Sequence, residues 1–240
     1  MTGRLVGVGV GPGDPELLTV RALRVLREAR VIFVPAGPTG EAGRAEAVVR
    51  GSVGPERVRR LPFALSGDAR PGEPRWEEAA REVCRALDGG GVVAFATLGD
   101  PGLYSTFTPL ARTLRRFRPK VRIETVPGIT AMQDLAARSG AVLAVGSERL
   151  ALVPCGAGVD DLPRVLEGFD TVVLYKAGVV FPEVVRAVRR AGRLDGLVRG
   201  VHLGLPGEEI AWGAAVPEEP APYLTTAVVL PARDGEGWEP

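Results

Sequence analysis

From residue 4 to residue 138, short β-branched runs alternate with amphipathic stretches at helix spacing, and Gly or Pro punctuates the junctions. That alternation leaves few folds open. It predicts strand–helix–strand units whose strands lie parallel and are covered by helices. Strands are expected at 4–10, 31–34, 58–61, 92–97 and 121–126, with helices at 16–29, 44–50, 75–87 and 103–116. Pro35 should end the second strand, Gly51 the second helix, and Gly89-Gly90-Gly91 the third. Five strands complete one doubly wound layer, so Pro127-Gly128 is the natural boundary between an α/β domain over 1–127 and a second over 128–240. The second half opens with a helix at 129–138. It adds strands at 149–153, 171–175, 197–203 and 227–230 and helices at 161–167 and 181–191. Several of its connections are too short for a helical crossover, which predicts a mixed sheet. Residues 66–74 read as a turn-rich loop and 234–240 as a frayed tail.

Composition removes several function classes. The formal net charge is +1, so a nucleic-acid binder would have to rely on a local patch. No run approaches the ~20 apolar residues of a membrane span. Residues 1–30 read directly as strand and helix without a leader pattern, so a cytoplasmic protein is expected. Cys84 and Cys155 are then expected as free thiols. One His and two Cys supply too few ligands for a zinc site, so no protein-held metal is expected. Arg far outnumbers Lys, Asn is absent and Gln133 is the sole Gln. Both thermal adaptation and a GC-rich genome produce that bias.

The glycines at 7, 9, 11 and 13 alternate and miss the dinucleotide register. Counted from Gly7 the sixth position is Pro12, and from Gly9 it is Asp14. A proline and a carboxylate there oppose a pyrophosphate, and no acidic residue closes the second strand to hold a ribose. Two readings remain. The loop is either a close-approach surface for a flat, non-phosphate ligand or a glycine turn after an edge strand, with Asp14 capping the next helix.

Three further segments bear on that choice: Thr97-Leu98-Gly99-Asp100-Pro101-Gly102-Leu103-Tyr104-Ser105-Thr106, Val126-Pro127-Gly128-Ile129-Thr130-Ala131 and Pro222-Tyr223-Leu224-Thr225-Thr226. Together with Val8-Gly9-Val10-Gly11-Pro12-Gly13-Asp14-Pro15-Glu16-Leu17-Leu18-Thr19, they resemble the tetrapyrrole methylase family in order and spacing over nearly the whole chain. Leu98 and Tyr104-Ser105-Thr106, with the 222–226 segment, resemble the branch acting at carbon 20 of precorrin-2. The resemblance implies two α/β domains, with S-adenosylmethionine in a cleft between them as methyl donor, a tetrapyrrole substrate and a homodimer. By position it implies that Pro12, Leu98, Gly99, Asp100, Leu103, Thr130 and Ala131 contact the cofactor, joined in the second domain by Lys176, Leu203 and Thr225. The turns around Pro12 and Asp100 are expected to face each other across the interdomain crevice. A Lys ammonium sits poorly beside a sulfonium, so that of Lys176 is expected to face substrate or solvent.

Methyl transfer from a sulfonium needs alignment and exclusion of water rather than a metal. At a meso carbon a proton must also leave. Asp100 is the first candidate base, against the alternatives of a helix N-cap or a ligand hydrogen bond. Tyr104 is either a proton relay or a packed aromatic. Arg44, Arg70, Arg75 and Arg138 are candidates for the substrate carboxylates, each weighed against an ordinary surface role. His202, the sole His, reads as a strand-end residue. Competing readings are another tetrapyrrole substrate such as uroporphyrinogen III, a protein or RNA methylase, and a non-catalytic module binding S-adenosyl ligands.

Overall fold

The structure is a computed structural model that describes residues 3–36, 42–62 and 74–232. Arg70, the expected tail at 234–240 and all of the expected 66–74 loop except Pro74 lie outside those residues. The chain divides into two units, Met1–Thr130 and Ala131–Pro240.

The first unit runs β1 (Arg4–Gly9), α1 (Val20–Glu28), β2 (Val31–Ala36), α2 (Arg44–Val53), β3 (Val58–Pro62), α3 (Pro74–Asp88), β4 (Val92–Thr97), α4 (Phe107–Phe117) and β5 (Arg122–Val126). The sheet order is β3-β2-β4-β1-β5 and every pairing is parallel. Interior parallel strands bury both faces, which explains their nearly unbroken apolar runs. Leu5, Phe33, Val93 and Phe95 pack toward α3 and α4, while Val6, Val8, Ile32 and Ala94 pack toward α1 and α2. Each large side chain buried this way stabilises the unit by about 1.5–3 kcal/mol.

Several expectations are corrected in this unit. The strand expected to stop before Pro35 continues to Ala36. Its pairing with β4 ends at Phe33, so Pro35 lacks an N–H only where one neighbour, β3, remains. The second helix passes through Gly51 and ends at Gly54, whose φ of 80° makes it the left-handed stop. The helix expected from residue 16 starts at Val20, capped by the Thr19 hydroxyl, because Pro15–Leu17 forms only a 3-10 turn. Finally, β1 is an interior strand between β4 and β5, not an edge.

The second unit runs α5 (Ala131–Ser139), β6 (Leu150–Pro154), α6 (Leu162–Gly168), β7 (Thr171–Tyr175), α7 (Phe181–Arg190), β8 (Leu197–Val201), β9 (Glu209–Trp212) and β10 (Thr226–Val229). Its order is β6-β7-β10-β8-β9, with β6–β7 parallel and the other pairings antiparallel, giving the expected mixed sheet. α6 and α7 cover one face through Leu162, Phe181 and Val184; Leu135 of α5 packs on the other with Val173, Val198 and Val228. The strand expected to reach residue 203 stops at Val201, because His202 takes a φ of 53°. β9 was not expected: four residues give too short an alternation to stand out.

Candidate active site

Helices α1 and α4, which follow β1 and β4, pack on opposite faces of the first sheet although the two strands are neighbours. Open α/β sheets bind ligands at such a switch point, outside the carboxyl ends of the strands. Here the turns that follow are joined directly. The Val10 N–H donates to the Thr97 carbonyl at 3.0 Å and the Gly99 N–H to the Gly11 carbonyl at 2.7 Å. Gly11 and Gly99 hold φ values of 77° and 66°, a region costly to residues with a Cβ. The turn after β5 closes on both: a Cβ on Gly128 would lie 2.1 Å from the Gly99 carbonyl oxygen and 2.8 Å from Gly9 Cα. The Pro12 and Asp100 turns were expected to face one another across an interdomain crevice; instead they are hydrogen-bonded side by side. Both belong to the first unit, because the strands carrying them are adjacent.

Asp100 ties this cluster together. Its Oδ1 accepts from the Gly102 N–H at 2.7 Å and its Oδ2 from the Gly128 N–H at 3.0 Å. It does not cap a helix at Leu103. α4 starts at Phe107, whose N–H donates to Ser105 Oγ at 3.0 Å, and that hydroxyl also shares a 2.9 Å hydrogen bond with Thr97 Oγ1. Tyr104 stands on the same loop at φ 48° and is 42% exposed. Leu98, Gly99 and Leu103 are half-buried and Pro12 is buried.

The first turn offers no row of helix N–H groups to an anion, since Pro12 is separated from α1 by the 3-10 turn that Asp14 caps. At Gly99 the space a Cβ would enter is open, with no atom within 4 Å. A cradle of bare backbone without phosphate donors suits a flat or cationic group.

In the second unit, topology gathers the remaining predicted residues. Thr226 at the start of β10 pairs with Tyr175 on one side and Gly200 on the other, so Lys176, Leu203 and Thr225 converge at one end of the sheet. Their side chains differ in availability. Leu203 is 5% exposed and packs into the α5 core, while the buried Thr225 hydroxyl donates to the Pro222 carbonyl at 2.6 Å. Lys176 is half-buried, its ammonium 5.8 Å from the centroid of the Tyr223 ring. Thr130 ends the first unit and Ala131 begins α5. Tyr104, Lys176 and His202 are the non-glycine residues with positive φ among those described, and each follows the carboxyl end of a strand. Strained backbone of this kind collects at functional sites.

Among the arginine candidates, Arg138 is held by Asp134 at 2.7 Å and Glu208 at 3.2 Å. Burial lowers the pKa of Arg44 at the start of α2, and Arg75 is exposed on α3. Cys84 and Cys155 are free thiols, and burial pushes Cys155 up to about 11. No cluster of three or more His, Cys, Asp or Glu suited to a metal occurs among the described residues. Sequence reasoning missed the role of Gly128 as the point where three turns touch. It also missed the partnership of Tyr223 with Lys176, although both residues stood in segments it had marked.

The sequence profile of the Tetrapyrrole (Corrin/Porphyrin) Methylases matches residues 4–214. The chain belongs to this family. This tetrapyrrole methylase is 33% identical to the cobalt-precorrin-2 C(20)-methyltransferase of Salmonella typhimurium, over 95% of this chain and 97% of that one. It is 32% identical to the precorrin-2 C(20)-methyltransferase of Sinorhizobium sp, over 97% of each. Among solved structures, the uroporphyrin-III C-methyl transferase of Thermus thermophilus, complexed with S-adenyl homocysteine, shares the methylase fold. It superposes with a TM-score of 0.67 at 24% identity, covering 95% of this chain and 97% of that one.

Proposed function

We propose that this tetrapyrrole methylase transfers the methyl group of S-adenosylmethionine to carbon 20 of precorrin-2 or its cobalt-containing counterpart, a step of cobalamin biosynthesis. The observation that carries the proposal is the switch-point cradle, in which three glycine turns pack backbone to backbone and leave open space at Gly99. Relatives bearing the C(20) name over nearly their full length support the choice of substrate. A protein of the same fold solved with S-adenyl homocysteine supports the choice of donor.

S-adenosylmethionine supplies an activated methyl on a sulfonium that leaves as a neutral thioether. Pro12, Leu98, Gly99, Leu103, Thr130 and Ala131 are the residues proposed to line the donor. The chain's task is to fix donor and acceptor in line and keep water away, and such orientation can lower a barrier by several kcal/mol. Asp100 holds the turns in place through two charge-assisted hydrogen bonds. Any proton it accepted from carbon 20 would come at the expense of those bonds, so its proposed role is positioning. Tyr104, exposed on the same loop, is the proposed proton relay, its hydroxyl taking up the proton lost from carbon 20 as it passes its own to solvent water.

The enzyme is proposed to act as a homodimer in the cytoplasm. No helix among the described residues is long and apolar enough to cross a membrane. Incubation with precorrin-2 and donor carrying a ¹³C-methyl group tests the reaction: one label per macrocycle is expected, at carbon 20 by NMR. A label at another carbon would reassign the substrate position, and tight donor binding without transfer to any tetrapyrrole would favour a binding module.

A further inference from the structure

We infer that Lys176 and Tyr223 form a carboxylate-binding station for the acidic macrocycle rather than part of the donor site. The inference rests on the tetrapyrrole reading above. Lys176 holds a left-handed backbone at φ 57°, which glycine would adopt without strain. It forms no ion pair among the described residues, and its ammonium lies 5.8 Å from the centroid of the Tyr223 ring. The described ion pairs use arginine as their cation, and Lys120 is the chain's other lysine. A lysine held in strained backbone, with a ring but no ion pair for company among the described residues, points to a ligand.

The surrounding loops are fixed before anything binds. The Ala221 N–H donates to the Gly178 carbonyl at 2.8 Å, and a Cβ on Gly178 would come within 2.0 Å of the Pro222 carbonyl oxygen. The Thr225 hydroxyl donates to that same oxygen at 2.6 Å. These contacts lock the Lys176 turn against the Tyr223 segment, so cation and ring are pre-organised. The two loops also expose apolar side chains: Val179 is 67% exposed, and Tyr223 and Leu224 are each 40% exposed. A cation over an aromatic face with an apolar border matches a flat ring bearing carboxylate arms. A sulfonium placed here would meet a like charge, which argues against a donor contact.

The test uses the full chain with precorrin-2 as substrate and S-adenosylhomocysteine as the probe of the donor site. Lys176→Gln is expected to raise KM for the tetrapyrrole about tenfold while kcat and the calorimetric Kd for S-adenosylhomocysteine stay within about twofold. Lys176→Arg, which keeps the charge, should restore KM to within about threefold. Lys176→Gly should raise KM as the Gln variant does, yet leave Tm unchanged or higher, since the strain is relieved. Unchanged KM in the Gln and Gly variants overturns the inference. So does a tenfold weaker grip on S-adenosylhomocysteine, which would return Lys176 to the donor. Wild-type protein that methylates no tetrapyrrole defeats the underlying reading itself, a result distinct from either.

Discussion

The two units differ in emphasis at their strand-end loops, although Tyr104 in the first and Gly178 in the second each use the other unit's device. In the first, side chains are removed: Gly9, Gly11, Gly99 and Gly128 bring backbones into contact, and one carboxylate, Asp100, fastens them. In the second, side chains are kept at a cost: Lys176 and His202 occupy left-handed backbone that glycine would fill more cheaply. Bare backbone gives a close, general surface for a group shared by many enzymes, whereas a retained side chain adds a charge for one particular partner. The contrast is what the proposed division rests on, with the donor at the glycine cluster and a substrate carboxylate at Lys176.

Substitutions at glycine should break the contrast most sharply. Gly128→Ala forces a methyl to 2.1 Å from a backbone oxygen that cannot swing away. A loss of about 3 kcal/mol in denaturant unfolding is expected, with donor binding abolished. Gly168→Ala in α6, where no atom lies within 4 Å, should change stability by no more than about 0.5 kcal/mol. Equal effects at the two positions would erase the distinction.

Asp100→Asn comes next. One of the two backbone N–H groups it now satisfies would face an amide NH2. Stability should fall by about 1–3 kcal/mol and donor affinity should weaken with it. At saturating donor and substrate the transfer rate should stay within about tenfold, and a loss of several orders of magnitude would restore Asp100 as the base. Smaller still, and opposite in sign, Lys176→Gly should gain up to about 1 kcal/mol.

A last effect, confined to alkaline pH, concerns Cys155. Its folded pKa is raised to about 11 by burial, so the neutral thiol is the form the fold favours. The resulting stability is complete below the thiol's ordinary pKa near 9 and is lost as pH rises through about 11. In native protein at pH 8, thiol reagents should therefore leave Cys155 unmodified until unfolding, as peptide mapping would show.

Much of the fold was legible because burial writes itself into sequence. The interior strands at 92–97 and 171–175 are runs apolar but for Thr97 and Thr171, and both were placed to the residue. Errors arose where a local signal was real but served another purpose. Pro35 marks where β2 parts from β4, not where it ends. Gly51 is an exposed helical glycine, while the stop lies at Gly54. Pro15 starts a 3-10 turn, and the capping hydroxyl belongs to Thr19. The motif segments picked out loops but not how they meet. The adjacency of the β1 and β4 turns depends on strand order, which no local pattern encodes. The positive φ of Lys176 and His202 was equally hidden, because neither residue type announces it.

A crystal structure of the protein with S-adenosylhomocysteine tests the central claim most directly. The account predicts the nucleoside against Pro12 and the Leu98–Asp100 turn, with an atom of the ligand filling the open space at Gly99. Density for the ligand away from the β1 and β4 turns, or against the Lys176 ammonium instead, would contradict it.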